Sequence, residues 1–141
     1  MANISITAGS VLPGTNAKIR QGVAGATITA GQPLYYDSAS SSLKLADANV
    51  SATLATVVGI ALQGASSGQR VEYVYDDDDF TPGATLSLAT PDFGVYVLSA
   101  TAGAIAPHSD LAAAMYPVVL FVAKSSTKAI LKIINGTGVA V

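Results

Sequence analysis

Residues 57–75, VVGIALQGASSGQRVEYVY, constrain the fold of this chain more than any other stretch. Residues 57–62 are an apolar run of strand length, and Gln63-Gly64-Ala65-Ser66-Ser67-Gly68 is a small-residue connection. Residues 69–75 then alternate, with Val71, Tyr73 and Tyr75 on one face and Arg70, Glu72 and Val74 on the other. The pattern predicts strand, glycine-marked turn, strand. The first strand, apolar on both faces, belongs at the centre of a sheet, and the second shows one face to solvent or a partner. The stretch contains no catalytic group.

The rest of the chain extends the same reading. Residues 18–23 alternate weakly, as an edge strand would, and residues 27–37 give strand, glycine turn, strand. After a Ser/Ala loop, Leu43-Lys44-Leu45 alternates. Further strands are expected at residues 84–88 and 95–99, and a last hairpin joins residues 117–124 to 128–134 through Ser125-Ser126-Thr127. Short helical turns are expected only at residues 47–56 and 111–115. The fold class is therefore all-β, a small single-domain β-barrel or β-sandwich with at most one or two short helical turns. At 141 residues the length suits one domain, which can bury about 68–70% of its unfolded-chain surface. Residues 17–141 are taken as that β-domain. Residues 1–16 are read as an N-terminal arm or as its first strand, with Leu12-Pro13-Gly14-Thr15-Asn16 a turn. An internal echo links residues 25–40 to residues 83–101, either as two related β-units or as chance similarity in simple β sequence.

Composition bears on what covers such a domain. Charged residues make up 11% of the chain, where soluble domains average about 25%. A surface so poor in charge is expected to be covered in part by further copies or by a partner. Seven Lys and Arg are scattered singly and the net charge is −2, so no basic patch for nucleic acid arises. With no Cys, disulfides, thiolate catalysis and Cys-based metal sites are excluded. No apolar run approaches the roughly 18 residues of a membrane span. The start, MANISIT, lacks the charged and apolar regions of a secretion signal, so synthesis in the cytosol is expected.

Few residues suggest chemistry. His108-Ser109-Asp110 holds the three residue types of a hydrolytic triad, but three neighbours in one loop point in different directions and cannot line up as nucleophile, base and orienter. Gly136-Thr137-Gly138 lacks the rest of a dinucleotide fingerprint. Asp76, Asp77, Asp78 and Asp79 form the one charge cluster. Three readings stay open for it: a solvated loop that ends a strand and blocks edge pairing, an electrostatic contact with a basic surface, or a hard-cation site. Consecutive Asp residues in extended chain point to alternate sides, and the spacing of a calcium loop is absent. The six tyrosines fall mostly in expected strands, with one or two expected at a subunit contact.

Four segments in order, AGATITAGQPLYYD, LKLADA, VVGIALQGASSGQRVEYV and GVYVLSATAGAIAP, resemble the capsid decoration (cement) proteins of tailed bacteriophages. The resemblance covers roughly residues 22–107; the aspartate run is not part of that family's pattern. It implies a small β-barrel or sandwich, no enzymatic activity and no cofactor. It also implies binding to the major capsid protein on the outside of a phage head, often as a homotrimer. The protein would then be made in the bacterial cytoplasm and end on the virion exterior, with neither nucleic acid nor membrane as a partner.

Two classes of function follow. The first is a decoration protein that bridges capsid subunits and stabilises the shell. Its expected contacts are the apolar Ile4, Ile6, Val11 and Leu12 of the arm, which could add a strand to a sheet edge on the capsid, with the run Asp76 to Asp79 as an electrostatic contact. In the other reading of that segment, residues 4–7 are a strand of the domain's own sheet or one exchanged within the oligomer. The second class is a head- or tail-fibre module that recognises a host-surface glycan.

Overall fold

The computed structural model describes residues 3–90 and 92–136. Ten antiparallel strands carry the fold: β1 (Val11–Leu12), β2 (Lys18–Val23), β3 (Pro33–Asp37), β4 (Ser42–Leu45), β5 (Val57–Ala61), β6 (Arg70–Pro82), β7 (Val95–Leu98), β8 (Ile105–Pro107), β9 (Val118–Ala123) and β10 (Ala129–Asn135). The only helical pieces among the described residues are single 3-10 turns at Ala8–Ser10 and His108–Asp110. The protein is all-β, a curled half-barrel in one small domain.

β6 is the spine. Its thirteen residues pair with β5 at Tyr73 and Val74, with β10 at Asp76, Asp77 and Phe80, with β2 from Arg70 to Asp76, and with β1 at Thr81 and Pro82. Tyr73, Val74 and Asp76 are each paired on both edges, so β5 and β10 share one edge of β6 while β2 takes the other. The sequence predicts this strand only as far as Tyr75 and treats the four aspartates as a loop. They are strand. The turns expected to be helical at residues 47–56 and 111–115 form no helix, and residues 84–88 join no ladder.

The strand order β4-β3-β5-β6-β10-β9-β7-β8 places a hairpin at each end. Their first strands, β3 and β7, lie in the two regions of the internal echo. The two hairpins meet where the sheet curls round, through Gly103 N–H donating to the Ala46 carbonyl (2.8 Å) and Ala48 N–H to that of Ser99 (3.1 Å). On the other side a bridge between Ala24 and Leu43 joins the end of β2 to β4.

Two clusters fill the interior. The larger contains Phe80, Tyr96, Phe121, Leu120 and Leu131, with Phe121 stacked on Tyr96 at 5.3 Å between ring centres. The smaller is Ala24, Ile28, Leu34, Leu43, Ala61, Ala65 and Val71. Val71 and Val74 are both fully buried, in different clusters. Strict alternation would set Val74 on an open face; β6 instead passes between the clusters and buries both faces. Val71 and the partly buried Tyr73 face the smaller one, as the alternation predicts.

Candidate functional site

The aspartate run is structural in its local bonding. Opposite it, β10 advances from Ala129 to Leu131 while β6 retreats from Phe80 to Asp77, so Asp78 and Asp79 stand against one residue and form a bulge. Asp77 is 0% exposed. Its carboxylate accepts a hydrogen bond from Asp79 N–H at 3.0 Å, closing the bulge, and another from Gly14 N–H at 2.7 Å, anchoring the N-terminal turn. A Cβ on Gly14 would lie 2.6 Å from Asp77 Oδ1 and 2.8 Å from the Asp79 carbonyl, so the approach needs glycine.

The neighbours of Asp77 are paired too. Asp79 meets Lys124 at 3.0 Å and Lys128 at 3.7 Å, Asp76 meets Lys132 at 3.4 Å, and Asn16 donates to Asp78. Lys124 also donates to the Asp78 carbonyl at 2.8 Å. The Lys124 ammonium, and then Lys128, hold the Asp79 carboxyl below the usual aspartate range. Two of the four carboxylates, Asp76 and Asp79, are thus matched by lysines of the last hairpin, and the other two accept hydrogen bonds from neutral donors. Among the described residues no group of three or more His, Asp and Glu is placed to hold a metal ion.

The N-terminal apolar residues separate. Ile4 and Ile6 are half-buried against the larger core, with Ile4 N–H donating to the Ile105 carbonyl of β8 at 2.9 Å. Val11 is 5% exposed and pairs with Pro82. Only Leu12, 56% exposed, projects outward. His108 and Ser109 are exposed, and Ser109 N–H donates to Asp92.

Sequence reasoning missed an apolar outer face. Val95 of β7 lies opposite Val122 of β9, which lies opposite Ile130 of β10. Phe121 and Leu131 point into the core, so this row points out, and Val122 and Ile130 are exposed. Two residues before Val95 in the chain, Phe93 is 64% exposed, with φ of 51°. A bulky residue in the left-handed region is strained. Pairing the predicted last hairpin through its Ser-Ser-Thr turn already sets Val122 against Ile130, so this half of the face was readable. Elsewhere Tyr36 is 50% exposed, and Arg20 lies over the Tyr75 ring at 4.7 Å.

An open groove is lined by Ser5, Thr7, Ser10, Thr81, Thr85 and Thr127, with Gly83 and Ala84. No aromatic ring lines it. Comparison of the chain with protein-family models and with curated proteins gives no match.

Proposed function

We propose that the protein is a non-enzymatic capsid decoration protein, which binds the outside of a phage head as an oligomer and stabilises the shell by bridging capsid subunits. One observation carries most weight: an exposed apolar row, Val95–Val122–Ile130, with the strained, exposed Phe93 two residues before Val95 in the chain, on a sheet where Asp76 and Asp79 are already paired with lysines of the domain. Such a surface suits a permanent neutral contact better than steering of a charged substrate. The resemblance of residues 22–107 to cement proteins supplies the identity of the partner, the major capsid protein, and the trimeric state. The capsid contact is drawn to the outer face and Leu12, since Ile4, Ile6 and Val11 already pack within the domain.

Stabilisation follows from mass action: a ligand that binds the mature shell and not its disrupted form adds RT ln(1 + [L]/Kd), about 2.7 kcal/mol per site at a hundredfold excess over Kd. Co-sedimentation tests the reading. Saturable binding to mature heads and none to unexpanded heads is the expected result; failure to bind either defeats it. The Ser/Thr-rich groove favours one competing reading, a glycan-binding module, and retention on host cells with no retention on heads would select it.

A further inference from the structure

Asn135 and Gly136 are the chain's only Asn–Gly pair, and the fold gives a separate reason for each. The Asn135 side chain imitates a length of backbone. Val57 N–H donates to Oδ1 at 2.9 Å, and Nδ2 donates back to the Val57 carbonyl at 3.2 Å. The end of β10 is thereby fastened to the start of β5 where the two strands share one edge of β6. Gly136 then passes the chain beside Pro117, where a Cβ would lie 2.6 Å from the carbonyl oxygen. Packing demands an amide and then no side chain, and that dipeptide is chemically labile because nothing shields the glycine nitrogen.

We propose that Asn135 is a deamidation site held in check by its own clamp. In the reaction the Gly136 amide gives its proton to hydroxide, and its nitrogen bonds to Cγ of Asn135. The Cγ–Nδ2 bond breaks and ammonia leaves with a proton from water. Water then opens the five-membered imide at either carbonyl, leaving an aspartyl or isoaspartyl residue at position 135. In the folded chain both amide atoms are engaged by Val57, so the side chain cannot turn onto the Gly136 nitrogen until the strand end opens. Asn135 and Gly136 are solvent-exposed, so bulk water supplies the hydrolysis once the strand end opens. The product undoes the clamp. A carboxylate has no proton to give the Val57 carbonyl, and the isoaspartyl form lengthens the main chain just where it must clear Pro117.

The test incubates the full chain in mildly alkaline buffer, native and in denaturant, and follows the peptide spanning position 135 by mass and by chromatographic separation of its isoaspartyl form. Native protein should react at least about tenfold more slowly than the denatured chain, since opening must precede attack. Asn135→Asp and Asn135→Ser should both lower the melting temperature. Equal native and denatured rates would overturn the protection, no reaction in denaturant would overturn the site, and wild-type melting of both variants would overturn the clamp.

Discussion

Replacing Asp77 by alanine probes how the acidic strand is held. The change removes the acceptor of Gly14 N–H and of Asp79 N–H together, at a position with no exposed surface. An unsatisfied buried donor costs about 1–3 kcal/mol, so two give roughly 2–6 kcal/mol. Against a total stability of about 5–15 kcal/mol, that is a large fraction. Asp77→Asn keeps the volume but turns an NH2 toward one of the two donors, so about half the loss is expected, roughly 1–3 kcal/mol. Asp78→Ala is the control: its side chain is exposed, and a change within about 0.5 kcal/mol is expected. Urea unfolding followed by circular dichroism measures all three. Equal midpoints for Asp77→Ala and Asp78→Ala would refute the reasoning, because the run would then behave as the solvated loop its composition suggests.

Three further outcomes follow. Val71→Asp should abolish folding, since it sets an unpaired charge inside the smaller cluster at a penalty of several kcal/mol; a soluble variant with wild-type melting would contradict that packing. Phe93→Asn suits the left-handed backbone better and should raise stability by about 1 kcal/mol while weakening self-association measured by light scattering; lower stability with unchanged mass would show that the ring serves the fold. Because Lys124 lowers the pKa of Asp79, the pair's contribution is present above the ordinary aspartate range and is lost as pH falls through the depressed folded value; Lys124→Ala should therefore reduce the change in melting temperature on acidification, and an identical acid profile would argue against the pair.

What was readable in the sequence was local. The edge strand at residues 18–23, the β9–β10 hairpin and the β5–β6 hairpin as far as Tyr75 follow from alternation, small-residue turns and strand-length apolar runs. Asp76 to Asp79 defeated the same rules, because aspartate is a poor strand former and its support comes from residues distant in sequence: Gly14, Lys124, Lys128 and Lys132. Residues 84–88 erred the other way. They alternate like a strand, but Leu86 spends its N–H on the Ser126 carbonyl and no neighbour runs alongside. Val74 was set on an open face because period two cannot register a second cluster behind the sheet. Of the four apolar residues expected at the contact, Ile4, Ile6, Val11 and Leu12, only Leu12 stands exposed, a difference their side chains alone do not show. The outer row depended on cross-strand register, and Phe93 on a backbone angle that no sequence pattern announces.

Electron microscopy of the protein mixed with bare mature heads tests the proposed function most directly. Decoration requires added density at repeating positions on the outer surface, spanning the boundary between capsid subunits, with the β7–β9–β10 face or Leu12 against the shell. Heads that stay bare at saturating protein, or density confined to the tail or its fibres, would contradict it.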